Sequence, residues 1–180
     1  RRVLFRSGVG KFTTNRDDVT YIECESEVHL LKEFLIFWEK HQPDVITGWN
    51  TEFFDIPYIC NRIIKLFGED EIKRLSPWRS VKPKEVYKMG RNHQAYNIQG
   101  VAALDYFDLY RKFTYTAQES YRLDHIAKVE LGESKDGNPY DTFREWYQKD
   151  FQSFIEYNIQ DVEIVDKLED KMKLIELCLT

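Results

Sequence analysis

The chain has 180 residues, a formal net charge of −5, 42% hydrophobic and 32% charged residues. That balance describes a folded domain with a sizeable core and excludes nucleic-acid binding driven by bulk charge alone. No apolar run approaches the roughly 20 residues of a membrane helix. There is no secretory signal pattern. Three widely spaced cysteines, Cys24, Cys60 and Cys178, fit reduced thiols in a cytosol better than a disulfide scaffold or a zinc site.

In chain order, the first seven residues stand apart. RRVLFRS is what AGA CGT GTG CTC TTC CGA TCT encodes, a string that resembles a common sequencing-library adapter. The expectation is that Arg1–Ser7 is translated adapter, which carries no weight in reading the fold, and that residues 8–180 begin inside a domain. Val19–Cys24 is a short β-prone run. Ser26 can cap the next helix, whose apolar positions Leu30, Leu31, Phe34, Leu35 and Trp38 follow helical spacing, and His41-Gln42-Pro43 ends it. Asp44–Trp49 reads as a buried strand. A helix starts near Asp55, with Pro57 in its first turn, Ile59, Ile63, Ile64 and Phe67 on its apolar face, and Gly68 at its close.

A basic stretch follows, with seven cationic residues from Lys73 to Arg91 against the single acid Glu85. Within it, Lys84–Lys88 and Gln94–Ile98 read as a hairpin around a turn-rich tip, Met89–His93. Val101–Leu104 is a second buried strand and leads into a short helix at Asp105–Tyr110. Leu123–Val129 is a further helix, and Asp136–Pro139 a loop. From Asp150 the pattern is helical to the end. Phe151, Phe154 and Ile155 form one face, and Val162, Val165, Leu168, Met172, Ile175 and Leu179 continue an apolar stripe. The order predicts an α/β fold with strands at least partly covered by helices.

Two acids stand out. Asp55 lies between a strand and a helix, where α/β folds place ligands; as plain structure it would be an N-cap, and Asn50 a turn residue. Asp161 falls four residues after Tyr157, so the two share one helical face beside the apolar stripe. A carboxylate there calls for a partner, either a metal ion or a basic side chain. A phenol with a pKa of about 10 is a poor base at neutral pH, yet its hydroxyl can orient a water.

These residues carry a resemblance. TGWNTEFFD resembles the second exonuclease motif of family B DNA polymerases, Asn-x-x-x-Phe-Asp, and YNIQD resembles the third, Tyr-x-x-x-Asp, in the order and at the separation found there. LDYFDLYRKF and RLSP, between them, are similar to replicative polymerases of T-even-type phages, and the likeness runs from about Thr20 to Thr180. It implies a proofreading 3′–5′ exonuclease domain with a ribonuclease-H-like fold, here truncated at its N-terminal strands and carrying an inserted β-hairpin. In that family four carboxylates hold two divalent ions, Mg²⁺ or Mn²⁺. The resemblance makes Asp55 and Asp161 metal ligands and Tyr157 the residue orienting the attacking water. Asn50 and Phe54 would lie beside the primer strand. Lys82, Lys84, Lys88 and Arg91, on or near the hairpin, would contact DNA, and the hairpin would help part primer from template. Implied partners are the single-stranded 3′ end of the primer, the template and, through regions outside this chain, a sliding clamp and replisome proteins. The implied setting is the cytoplasm of a phage-infected bacterium, with no membrane partner.

The family's first motif, Asp-x-Glu, does not occur before Asp55. Glu23-Cys24-Glu25 is too close to Asp55 to replace it, so the isolated chain is expected to be nearly inactive as a nuclease. Phe53 stands where the phage enzymes often have a small residue. Two other readings compete: a catalytically inactive exonuclease-like scaffold within a polymerase, and an unrelated nucleic-acid-binding module resting on the basic stretch. A histidine-dependent nuclease of the same superfamily would place His where Tyr157 stands, and none of His29, His41, His93 and His125 has an Asp four residues on.

Overall fold

The computed structural model describes residues 4–88, 90–133 and 137–180, without the side chains of residues 5 and 88. It divides into two units, one running to Leu30 and resuming over Thr116–Lys173, the other comprising Leu31–Tyr115 and Leu174–Thr180. Both mix helix and strand, as the alternating hydrophobic pattern predicts.

In the first unit, β1 (Leu4–Gly8) pairs parallel with β2 (Val19–Glu23), Leu4 opposite Val19 and Gly8 opposite Glu23. Leu4–Ser7 therefore pair with Val19–Ile22 along the ladder. Strand pairing runs through backbone amides, which any codon origin supplies equally. Later elements of this unit are α4 (Leu123–Leu131), α5 (Phe143–Lys149) and α6 (Phe151–Met172). Phe12, Val19, Ile155 and Ile159 form a buried cluster with Leu4, Tyr21, Phe151 and Phe154 packed against it. Gln152 fixes the connection between β1 and β2. Its side chain accepts from the Thr13 amide at 3.1 Å and donates to the Thr13 carbonyl at 2.8 Å, an imitation of a backbone pair.

Helix α5 is absent from the periodicity reading, which is too coarse for seven residues. Its signal is a capping box, Thr142-x-x-Glu145, and Thr142 Oγ1 does accept from the Glu145 amide at 3.1 Å. Helix α6 is capped by Asp150, which accepts from the Ser153 amide at 3.1 Å. Its buried residues are Ile155, Ile159, Ile164, Val165 and Leu168. Val162, expected on the apolar stripe, is exposed, as is Leu179. Helix does not continue to the end either. Lys173 adopts a left-handed φ of 57° and closes α6, and α7 (Leu174–Leu179) follows in the other unit.

Helix α1 (Glu27–His41) begins where expected, with Ser26 Oγ accepting from the His29 amide; it starts in the first unit and most of it lies in the second. The second unit holds β3 (Val45–Gly48), α2 (Asp55–Phe67), a 3₁₀ turn at Glu69–Leu75, β4 (Val81–Lys88), β5 (Arg91–Ile98), β6 (Ala102–Asp105) and α3 (Tyr106–Phe113). Strands β3 and β6 pair parallel, Gly48 opposite Asp105, so both strands end at the same level. Strands β4 and β5 form the antiparallel hairpin. It is longer than predicted, starting at Val81 because Lys82 and Pro83 extend the ladder; of its tip, Met89 lies outside the described residues. Helix α2 buries Ile56, Pro57, Cys60 and Ile63, a face turned N-terminally from the predicted one. Burial pushes the Cys60 thiol up to about 12, which makes it a packing group at neutral pH. The three cysteines form no disulfide.

Candidate functional site

The segment between β3 and α2 is built from one constraint after another. Gly48 ends β3 where a Cβ would lie 2.4 Å from Thr51 Cγ2, so the chain doubles back in a space only glycine leaves open. Asn50 takes a left-handed φ of 65°, a conformation its short polar side chain tolerates better than most. Trp49 lies edge-on to Phe107 at 5.8 Å and near Tyr110 at 6.0 Å, which ties the loop to α3. The Thr51 carbonyl then accepts from the Ile56 amide at 3.0 Å and joins the loop to the first turn of α2.

Beneath this loop lies Asp105, only 6% exposed. Its Oδ1 accepts from the Asn50 amide at 2.9 Å and the Phe107 amide at 3.0 Å, and its Oδ2 from the Glu52 amide at 3.0 Å. Burial raises its pKa, and the three amide donors oppose that rise. The sequence offers a signal for this residue: an Asp at the junction of an apolar run and a helix is a capping pattern. What it does not offer is the loop some fifty residues earlier.

Asp55 is the first residue of α2, and Phe54 occupies the cap position with no side-chain bond. The N-cap reading of Asp55 is thereby corrected. The carboxylate is exposed in the first turn, where the helix dipole favours a negative charge. Phe54 is 67% exposed beside it. Asn50 is exposed as well, so Asn50, Phe54 and Asp55 all reach solvent from one short segment.

The hairpin meets this segment. Its register places Lys82, Lys84, Arg91 and His93 on one face of the ladder. Lys84 Nζ donates to Glu52 Oε1 at 2.6 Å, and the His93 ring lies 5.0 Å from that of Phe53. Phe53 thus has a structural reason for its size, since it seats the hairpin. Lys82 and Arg91 are exposed, and Arg91 Nε donates to His93 Nε2 at 3.3 Å. Lys88 closes β4, and its side chain lies outside those described. A recess of about 270 Å³ opens between the loop, hairpin and sheet, lined among others by Glu52, Ile56, Lys84 and Tyr96.

Tyr157 and Asp161 sit one turn apart on α6, both half-buried. Tyr157 is held in an aromatic cluster: its ring is 4.8 Å from Trp146, edge to face, and 6.0 Å from Phe143. Trp146, 4% exposed, donates its indole N–H to Ser153 Oγ at 2.6 Å. Asp161 belongs to the first unit and Asp55 to the second. Among the described residues, no group of three or more His, Cys, Asp or Glu side chains could hold a metal ion. Asp55 in one unit and Asp161 in the other each carry oxygen donors of the kind that suits Mg²⁺ or Mn²⁺.

The family model for the exonuclease domain of family B DNA polymerases matches residues 9–126. The chain belongs to that family. The DNA-directed DNA polymerase of Escherichia phage RB69 is 42% identical over 165 residues, which are 91% of this chain and 18% of that protein. The corresponding protein of Enterobacteria phage T4 is 39% identical over the same shares. The DNA polymerase catalytic subunit of human herpesvirus 6B is 36% identical over 131 residues, 69% of this chain and 13% of that protein. The chain thus spans about a fifth of the length of these phage relatives. The match covers the Asn50–Asp55 loop, Asp105 and the whole hairpin, and it stops short of Tyr157 and Asp161. Among the described residues no helix is long and apolar enough to cross a membrane.

Proposed function

We propose that the chain forms part of the proofreading 3′–5′ exonuclease of a replicative DNA polymerase, with a ribonuclease-H-like fold, and that its substrate is the single-stranded 3′ end of the primer. The observation that carries this reading is the loop from Asn50 to Asp55. It stands at the end of a parallel strand pair, the usual ligand position of an α/β sheet, within the segment that defines the family. Asp55 and Asp161 would be two of the carboxylates that hold a pair of divalent ions. Such ions supply neutralisation of the phosphate and a water ionised near neutral pH. Tyr157, gripped by Trp146 and Phe143, would orient the attacking water through its hydroxyl. Asn50 positions the strand end, and the exposed Phe54 ring packs beside it. Lys82, Lys88 and Arg91 contact the DNA backbone. Lys84 joins them only by leaving Glu52. The hairpin helps separate primer from template during transfer. Template DNA, a sliding clamp and replisome proteins are partners of the complete polymerase, which works in the infected bacterial cytoplasm.

The purified chain is expected to show almost no Mg²⁺-dependent digestion of single-stranded DNA, because Asp55 and Asp161 alone are too few ligands for two ions. In the complete polymerase, Asp161→Ala should lower excision of a single-stranded 3′ end by at least about 100-fold and leave nucleotide incorporation intact, because a charge-stabilising group in a dry site is worth that much. An unchanged excision rate would remove Asp161 from the site. Loss of incorporation in parallel would mean that the residue supports the fold instead.

A further inference from the structure

Burying a carboxylate is expensive unless its oxygens are satisfied, and Asp105 is buried among amides that need no charge. Capping α3 takes one acceptor, which Ser, Thr or Asn supply about as well. Oδ1 meets that need with the Phe107 amide at 3.0 Å. The rest of the carboxylate's bonding goes elsewhere: Oδ1 also takes the Asn50 amide and Oδ2 the Glu52 amide. Between these two residues, the Thr51 carbonyl holds the Ile56 amide in the first turn of α2. The close approach of Thr51 to Gly48 leaves the loop no slack. A continuous hydrogen-bonded path therefore runs from Asp105 through the loop backbone to the turn that presents Asp55. Lys84 and His93 hold the same loop from the hairpin side, at Glu52 and Phe53.

We infer that Asp105 is the positioning residue of this exonuclease site: its carboxylate fixes the Asn50–Glu52 backbone and thereby the place from which Asn50, Phe54 and Asp55 meet the primer end. The inference rests on the proposed exonuclease reading for its functional consequence, but not for the loop geometry. Asp105 itself touches no substrate.

Two substitutions divide the carboxylate's duties. Asp105→Asn keeps an oxygen for Phe107 and Asn50 and turns an NH₂ toward the Glu52 amide. Asp105→Ser keeps the helix cap and loses both loop bonds. In the complete polymerase, single-turnover excision of a single-stranded 3′ end should fall about 10-fold in the Asn variant and about 100-fold in the Ser variant, the scale of a small misplacement of reacting groups. Nucleotide incorporation should not change, and the two melting temperatures should stay close together. Amide exchange should rise about 10-fold at Glu52 alone in the Asn variant, and at Asn50 and Glu52 in the Ser variant, with Phe107 protected in both. Wild-type excision in both variants overturns the inference, and so does a loss that follows the fall in melting temperature across the pair. A wild-type polymerase that does not excise at all overturns the exonuclease reading instead. Amide exchange then still decides for or against Asp105 as the loop's anchor, and unaltered exchange at Glu52 counts against it.

Discussion

Asp55 reaches its place largely through contacts distant in sequence, a carboxylate at the end of β6 and a lysine and a histidine from the hairpin, together with a glycine at the near end of its own loop. Tyr157 and Asp161 reach theirs through the pitch of one helix, steadied by aromatic rings from the short helix just before it. The loop depends on backbone hydrogen bonds to a buried charge, the helix on packing. Damage should therefore differ in kind. Truncating a ring near α6 removes stability, whereas disturbing the loop displaces residues at modest cost in stability.

The largest effect tests the helix side. Trp146 packs against Phe143, Phe154 and Tyr157 and is almost fully buried. Trp146→Ala should destabilise by about 3–5 kcal/mol, the range for deleting a buried aromatic, read by urea unfolding. Trp146→Phe should recover most of this while losing the bond to Ser153. A cost below about 1 kcal/mol for the alanine variant would show that α6 does not depend on the cluster, and the contrast with the loop would weaken.

The loop side is sharpened by Gly48→Ala, whose added methyl meets Thr51 Cγ2. Thr is stiff at χ1, so the backbone has to move, at a cost of about 1–3 kcal/mol. Thr51→Ser removes that methyl and should restore most of the loss in the double variant. Thermal unfolding of the four proteins measures the coupling. Additive effects would mean that the alanine strains the β3–β6 pairing rather than the loop.

How much of this was legible in the sequence follows the same division. Helices α1, α2, α3, α4 and most of α6 are visible because apolar spacing and caps are local signals, as at Ser26 and Asp150. The family motifs single out Asn50, Asp55, Tyr157 and Asp161 by order and spacing. Asp105 lies in the stretch LDYFDLYRKF but nothing local singles it out as more than a helix cap, because its partners Asn50 and Glu52 are brought to it by strand pairing that no local pattern encodes. Lys84 reads as one cation among seven until the register sets it over Glu52. The N-cap reading of Asp55 failed by one residue: the loop's own bonds, Thr51 with Ile56 above all, start the helix at Asp55 and not after it.

The smallest expected effect separates two roles for Lys84. Its pair with Glu52 is partly exposed, the side chains 42% and 24% accessible, so in stability it is worth less than about 1 kcal/mol and weakens with salt. If Lys84 serves chiefly to hold the loop, Lys84→Met and Glu52→Gln should lower excision by similar small factors, and the double variant should be no worse than either. If Lys84 serves chiefly to bind DNA, Lys84→Met alone should weaken binding of a single-stranded oligonucleotide and reduce its salt dependence by about one counterion. Glu52→Gln should then strengthen binding, by releasing the lysine. Fluorescence anisotropy across a salt series distinguishes the two, and the sign of the Glu52→Gln effect decides whether the hairpin's basic face is a clamp on the loop or a surface for the strand.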